Sequence, residues 1–132
     1  MAGENLLYLE SHEWVLVEGA APKQTVTIGV SAFAVQQLTD IVYVELPAVG
    51  STFQAKERFG VIESVKATAD VYAPVGLLVT EVNAPLGTHL EWMKEDPFGQ
   101  GWMIKGELLD PADLASLKDF TEYQAQCAEE GH

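Results

Sequence analysis

One lysine, Lys66, lies within FGVIESVKATADVYAP, a stretch of β-forming and small residues at 59–74 that has no other basic side chain. The segments GVIESV and ADVYAP have the length and β-branched content of two paired strands, so VKAT must turn between them. This turn contains none of the Gly, Asn, Asp or Pro residues that tight turns favour. A turn that lacks the usual turn residues, between two clearly predicted strands, indicates a functional site.

A lysine amine on a tight hairpin can accept lipoate or biotin in an amide bond. The hairpin holds the amine away from the domain, and the small residues Ala67, Thr68 and Ala69 let a modifying enzyme approach. Acylation removes the charge and lengthens the side chain into an arm. The alternative is a longer hairpin loop with an ordinary solvated lysine. A biotinyl domain would favour methionines beside the lysine, whereas Val65 and Ala67 stand there.

Other arrangements that could support catalysis or bind a metal are incomplete. His12 and Glu13 begin an H-E-x-x-H zinc motif, but position 16 is leucine. The sequence has no phosphate loop, Rossmann glycine set or G-x-S-x-G elbow. The single cysteine, Cys127, excludes an internal disulfide and a cysteine-based metal cluster. We therefore predict no catalytic residue and no metal site.

Length and composition favour one globular domain over 1–132, with 48% apolar residues. Twenty acidic and seven basic residues give a formal net charge of −13. The basic residues are scattered, whereas phosphate binding needs clustered Lys and Arg, so neither nucleic acid nor an anionic membrane is an expected partner. No apolar run approaches the roughly 18 residues of a transmembrane helix, and the N-terminal residues resemble neither a secretory signal nor a transit peptide.

Short β-rich runs punctuated by Gly and Pro predict an all-β barrel or sandwich. The predicted strands are EWVLVE (13–18), TVTIGV (25–30), DIVYVEL (40–46), RFGVIESV (58–65), ADVYAP (69–74), LLVTEV (77–82) and GWMIKGEL (101–108). GAAPKQ, at 19–24, is expected to form a loop longer than a tight hairpin.

Two helices are predicted besides the strands. SAFAVQQL has Ser31 as a possible N-cap and an i, i+4 apolar pair, so a short helix is expected there. At the C-terminus, Asp110 can cap, Pro111 fits the first helical position and Asp113 suits the first turn. An apolar stripe then predicts one helix over 110–127 that packs on the sheets.

Four blocks of the sequence resemble the H-protein family of the glycine cleavage system. They are ESVKATAD with YAP beyond it, SHEW near the start, DIVYVELPAVG and EDPFGQGWMIK, and the likeness runs in order from about residue 8 to 123. The resemblance implies a mainly β, lipoyl-domain-like barrel-sandwich of two antiparallel sheets, with a short internal helix and a C-terminal helix.

The resemblance also implies a non-catalytic carrier with lipoate on Lys66. H proteins carry an aminomethyl group from a pyridoxal-phosphate glycine decarboxylase to a tetrahydrofolate-dependent aminomethyltransferase, and a flavin (FAD) dihydrolipoyl dehydrogenase reoxidises the dithiol. Lipoyl-attaching enzymes are further expected partners. An H-like protein that relays lipoate to other enzymes is an alternative, because it would need the same lipoylated lysine.

The same resemblance assigns roles to residues near Lys66. The residues expected to be recognised around the lysine are Glu63, Ser64, Val65 and Ala67. Glu13 and Asp70 match family positions that face the arm's cleft, where a carboxylate could accept hydrogen bonds from a protonated amine. A solvated surface acid is the alternative for each.

Several positions depart from the usual family pattern. They are Ala32 and Phe33 near the expected cleft mouth, Ala69 beside the hairpin, Gly76 and Leu77 at a later turn, and Lys94 before EDPFG. A shuttle role predicts a monomer. The C-terminal CAEEGH is similar to plant-type members, which favours the mitochondrial matrix, with a transit peptide absent from this sequence; the bacterial cytoplasm is the alternative.

Overall fold

Within residues 5–20 and 23–130, which the computed structural model describes, nine strands form two antiparallel sheets. The strands are β1 (Leu7–Tyr8), β2 (Glu13–Ala20), β3 (Lys23–Val30), β4 (Ile41–Glu45), β5 (Thr52–Phe53), β6 (Arg58–Ser64), β7 (Thr68–Tyr72), β8 (Leu77–Val82) and β9 (Ile104–Leu108). The larger sheet has the order β1-β2-β3-β9-β8-β5 and the smaller one β4-β6-β7. The predicted mainly β fold of two antiparallel sheets is confirmed.

The helices lie between and after the strands. They are α1 (Ala32–Leu38), α2 (Glu91–Glu95), α3 (Phe120–Glu130) and two 3₁₀ helices, Ala84–Thr88 and Pro111–Ser116. Ser31 caps α1 as predicted, because its hydroxyl accepts a 3.3 Å hydrogen bond from the Ala34 N–H.

The hydrophobic core lies between the two sheets. Side chains from both sheets are almost fully buried there, among them Val15, Ile28, Ile62, Val71, Leu77 and Ile104. The alternation along each strand sends one set of side chains into this layer and the other toward solvent or a covering helix. The core therefore fixes the smaller sheet, and the β6–β7 hairpin at its end, against the larger sheet.

The connection between β2 and β3 differs from the prediction. Instead of a long loop over 19–24, the two strands stay paired as far as Ala20 opposite Lys23. Gly19 has φ +84°, a left-handed conformation that glycine adopts at little cost, and it lies opposite Gln24 within the ladder. The predicted long loop is wrong because this glycine allows the ladder to continue.

The C-terminal segment is also divided where one helix was predicted. Asp110 caps as expected, but the helix after Pro111 is a 3₁₀ helix that ends at Ser116. The backbone of Lys118 then pairs with that of Tyr8, with N–H···O distances of 2.8 and 2.9 Å. This bridge requires extended backbone, so the single helix over 110–127 is wrong and α3 begins at Phe120.

Candidate functional site

The β6–β7 hairpin places Lys66 at its tip. Glu63 pairs with Thr68, which leaves 64–67 to form the turn. The Ser64 hydroxyl donates to the Ala67 carbonyl at 3.0 Å and accepts from the Ala67 N–H at 3.1 Å, and the Ser64 N–H also donates to the Ala67 carbonyl at 2.7 Å. A side-chain hydroxyl thus closes a turn that uses no left-handed residue, which explains why the sequence needs no Gly or Asn there.

The hairpin tip is also attached to the neighbouring strand. The Val65 N–H donates a 3.0 Å hydrogen bond to the Asp40 carbonyl, just before β4. The preceding residue, Thr39, has φ 64° and ψ −118°, a combination that costs a residue with a side chain roughly 1–3 kcal/mol. The Val65–Asp40 bond thus ties the hairpin tip to a segment whose preceding residue has a strained backbone.

The four predicted recognition residues do not all face outward. Val65 is 74% exposed, and Lys66 and Ala67 are also exposed. Ser64 is buried, 8% exposed, and its hydroxyl is used inside the turn. Glu63 is partly buried. Within the described chain, the Lys66 amine has no hydrogen bond or ion pair, so it stands open to a modifying enzyme.

Glu13 is a buried carboxylate, not a solvated surface acid. Its side chain is 1% exposed. One oxygen accepts a 2.5 Å hydrogen bond from the Ser11 hydroxyl, and the other accepts a 2.8 Å bond from the Tyr72 N–H on β7. Burial raises the pKa of Glu13 to about 7, and these hydrogen bonds oppose the rise. The carboxylate lies where the larger sheet meets the smaller one.

Asp70 lies on the same strand as Tyr72 but has a different environment. Its side chain is 48% exposed, and one oxygen lies 3.6 Å from the Arg58 guanidinium on β6. Asp70 pairs with Val61 across the hairpin. Asp70 is therefore on β7 itself, and Glu13 reaches β7 through its bond to Tyr72. The structure shows no hydrogen bond between the two carboxylates.

A cleft beside the hairpin connects these residues. One cavity of about 310 Å³ is lined by Ser11, His12, Phe33, Ala34, Gln37, Leu38, Ala69 and Glu130. A second, of about 240 Å³, is lined by Leu9, Glu10, Ser11, Lys56 and Tyr72. Ser11 lines both cavities, and β7 contributes Ala69 to the first and Tyr72 to the second; the two neighbouring cavities together are called the groove. Ser11 and Tyr72 were missed in the sequence, although the S-x-E spacing places Ser11 two residues from Glu13.

A second hydrogen-bonded cluster holds the wall of this groove. His12 has φ 83°; its Nδ1 lies 2.7 Å from the Tyr123 hydroxyl and its Nε2 lies 2.9 Å from a Glu130 carboxylate oxygen. The Tyr123 hydroxyl is also 2.5 Å from that of Ser31. Burial raises the pKa of Tyr123. Through these bonds α3 supports the segment that contains Ser11 and Glu13, a role that the sequence did not reveal.

The departures from the family pattern fit the structure locally. Phe33 stacks on His12 with ring centroids 5.0 Å apart, so an apolar ring lines the groove there. The Gly76 N–H donates a 2.9 Å hydrogen bond to Asp113, and Leu77 is fully buried at the start of β8, so the shifted glycine leaves this strand intact. Ala32 begins α1, and Lys94 is exposed on α2.

Two negative findings concern the described ranges, 5–20 and 23–130. No three His, Cys, Asp or Glu side chains there converge as metal ligands would. None of the helices in these ranges has the length and apolar character needed to cross a bilayer.

Comparison with known proteins identifies the family. The family model for the glycine cleavage H-protein matches residues 6–130. A glycine cleavage system H protein from Cyanothece sp. is 46% identical over 123 residues, covering 93% of this chain and 92% of the relative. One from Laribacter hongkongensis is 48% identical over 122 residues, covering 92% and 94%. The crystal structure of a glycine cleavage system H protein from Mycobacterium marinum matches with a TM-score of 0.85 at 33% identity, covering 95% of this chain and 98% of that one. The chain belongs to the glycine cleavage H-protein family.

Proposed function

We propose that Lys66 is the residue through which this glycine cleavage H-protein carries lipoate. The observation that carries the proposal is the exposed Lys66 amine at a turn closed by the Ser64 hydroxyl. The surroundings fit an acylated lysine, because Val65 and Ala67 are exposed on either side and a groove begins at Ala69. When bound, the dithiolane of lipoate supplies the redox and group-transfer chemistry, while the protein supplies attachment and position.

The groove along β7 is the proposed storage place for the loaded arm. Glu13 is buried behind Ser11 and Tyr72, which line the groove and which hydrogen-bond its two oxygens. Each carboxylate oxygen can accept a second hydrogen bond, so a protonated amine in the groove can add a charge-assisted bond. Glu13 is the main proposed acceptor, and the half-exposed Asp70 is a second one nearer the hairpin.

Burial makes the Glu13 contact selective for a cation. With a pKa raised to about 7, the charged form of Glu13 is costly near neutral pH when no cation is near. An approaching ammonium group offsets that cost and favours the ionised carboxylate. The groove should therefore hold the aminomethylated arm more tightly than the arm without an amine.

The protein is proposed to act as a carrier and not as a catalyst. In this role it presents the arm in turn to glycine decarboxylase, the aminomethyltransferase and dihydrolipoyl dehydrogenase, after lipoyl-attaching enzymes have modified Lys66. Attachment raises the concentration of the reacting group at each partner without further contacts. The acidic surface, with a net charge of −13, favours basic docking sites on these partners. A monomer suits such successive encounters.

The compartment stays a prediction. The relatives named above come from bacteria, which supports the bacterial cytoplasm. The C-terminal likeness supports the mitochondrial matrix instead. Cell fractionation of the native organism would separate the two.

The direct test is intact mass after co-expression with lipoyl-attaching enzymes. The wild-type chain and the control Lys94→Arg, a change at an exposed lysine on α2, should both gain one lipoyl group. Lys66→Arg should gain none. A lipoyl group on the Lys66→Arg chain would overturn the assignment.

The relay alternative needs a second assay. Lipoylated protein should support glycine-dependent carbon dioxide release when mixed with glycine decarboxylase, the aminomethyltransferase and dihydrolipoyl dehydrogenase. If it supports no release but passes its lipoyl group to a second acceptor protein, the relay function is correct and the carrier function is wrong.

A further inference from the structure

The edge of β7 that faces away from β6 presents unpaired backbone groups. In an antiparallel ladder, alternate residues direct their N–H and carbonyl groups toward the partner strand and the others direct them away. Ala67 and Ala73, at the two ends of β7, bond to the β6 side: the Ala67 carbonyl accepts from Ser64 at 2.7 Å and the Ala73 N–H donates to Glu57 at 2.8 Å. By the same alternation, the backbone N–H and carbonyl groups of Thr68, Asp70 and Tyr72 point away from β6.

The bond to Glu13 confirms this direction. The Tyr72 N–H donates at 2.8 Å to a carboxylate that comes from the other sheet. β7 has no strand beside it on this side in the described chain, and no hydrogen bond there occupies the outward groups of Thr68 or Asp70. The outward backbone groups of Thr68 and Asp70 are thus without hydrogen-bond partners in the described chain, whereas the Tyr72 N–H is bonded to Glu13.

The two open positions lie on either side of a residue that lines the groove. Ala69, between them, lines the 310 Å³ cavity with Phe33 and Ser11. Lys66 is in the turn, two residues before Thr68, so their α-carbons are at most about 7 Å apart. An extended lysine side chain reaches about 6 Å from its α-carbon, so an amide formed on Lys66 is within reach of the Thr68 carbonyl.

We propose that the amide on acylated Lys66 lies against the β7 edge and that its N–H donates a hydrogen bond to the outward Thr68 carbonyl. This inference rests on the proposed acylation of Lys66. The backbone carbonyl anchors the arm at its root, and the acyl chain then follows the edge toward Tyr72 and Glu13. Because the acceptor is a backbone carbonyl and the donor is the amide of the arm, this contact depends neither on the side chains at 68 and 70 nor on the dithiolane.

The test measures hydrogen exchange at the amide of the arm directly. The full-length protein is prepared with ¹⁵Nζ-labelled lysine and modified with either a lipoyl or an octanoyl group, and intact mass first establishes that Lys66 is acylated. Hydrogen exchange of the acyl amide N–H is then followed by NMR, with the same protein unfolded in urea as reference. One hydrogen bond in a half-open groove should slow exchange about tenfold in the folded state, and equally for both acyl groups.

Variants at the groove separate this contact from other causes of slow exchange. Ala69→Phe fills the groove with a ring and should return the exchange rate to the unfolded value, whereas the control Ala69→Ser should keep the protection. Circular dichroism and thermal unfolding establish that both variants fold, and Thr68→Val should retain protection because only its backbone is used.

Several results would overturn the inference while leaving the lipoyl assignment intact. They are an acylated Lys66 whose amide exchanges at the unfolded rate, protection with lipoyl but not octanoyl, and protection that Ala69→Phe leaves unchanged. Protection that rises with protein concentration would assign the β7 edge to a second copy of the chain and would also overturn it. An unacylated Lys66 defeats the proposed function itself.

Discussion

The hairpin tip and the groove wall hold their functional groups in opposite ways. At the tip, Lys66 is exposed and its position is fixed only through backbone bonds and the Ser64 hydroxyl. At the wall, Glu13 is buried and is itself held by Ser11 and the Tyr72 N–H. A carrier needs both, because the attachment point must reach several partners while the loaded group is protected between encounters. In the proposed function, this difference corresponds to presentation of the arm at one end of β7 and storage at the other.

The largest expected effect is on the unfolding free energy, and it comes from the pH-dependent protonation of Glu13 beside the groove. Glu13 has a folded pKa of about 7 against an ordinary value of 4.5, so the folded state binds the extra proton between these values. The stability that this group provides is fully present below pH 4.5 and is lost as pH rises through 7, by about 3 kcal/mol. In Glu13→Gln this loss is absent. Urea unfolding from pH 4.5 to 8 should show the two stability curves separating by that amount; parallel curves would contradict a buried, proton-binding Glu13.

The next effect concerns the tip. Ser64→Ala removes both hydroxyl hydrogen bonds to Ala67, so the unfolding free energy should fall by about 1–3 kcal/mol. Lipoylation should also become slower, because the turn that presents Lys66 loses its closure. Ser116→Ala, which removes an exposed 3.2 Å bond, is the control and should change stability by less than about 0.5 kcal/mol. Equal effects of the two substitutions would exclude a special role for Ser64.

A smaller effect of opposite sign is expected at Thr39. Its φ of 64° and ψ of −118° suit glycine better than threonine. Thr39→Gly should relieve backbone strain and raise the unfolding free energy by about 1 kcal/mol, after the entropy that glycine loses on folding is counted. The control, Thr25→Gly in β3, should lower it, because glycine weakens a strand. Destabilisation by Thr39→Gly would show that the threonine side chain, and not the backbone, matters there.

The smallest effect is expected for the exposed ion pair between Arg58 and Asp70. At 3.6 Å, and with both side chains about half exposed, the pair should contribute less than about 0.5 kcal/mol. Arg58→Met should therefore leave the unfolding midpoint nearly unchanged. A loss above 1 kcal/mol would place Asp70 in a structural role like that of Glu13 and weaken the contrast between the two ends.

Local patterns predicted most of the elements that position the site. Alternating β-branched residues located β6, β7 and β8, and the Ser31 cap located α1. The start of α3 had a usable signal that was missed, a capping box in which Asp119 and Glu122 exchange hydrogen bonds of 3.0 and 2.8 Å.

The burial of Glu13 could not be predicted in the same way. Its partner on β7, Tyr72, is 59 residues distant, and the contact exists only once the two sheets pack. The bridge from Lys118 to Tyr8, which breaks the predicted C-terminal helix, likewise depends on tertiary contact. Sequence patterns report local preference, whereas the groove wall is a product of the assembled sheets.

The contrast between presentation and storage is tested most directly by the rate at which the loaded arm loses its amine. Lipoylated wild-type protein and Glu13→Ala are loaded by glycine decarboxylase, separated from it, and followed for spontaneous release of formaldehyde and ammonia. Loss of one charge-assisted hydrogen bond in the groove should speed release by about tenfold or more. An unchanged release rate in folded, fully loaded Glu13→Ala would contradict storage of the arm against Glu13.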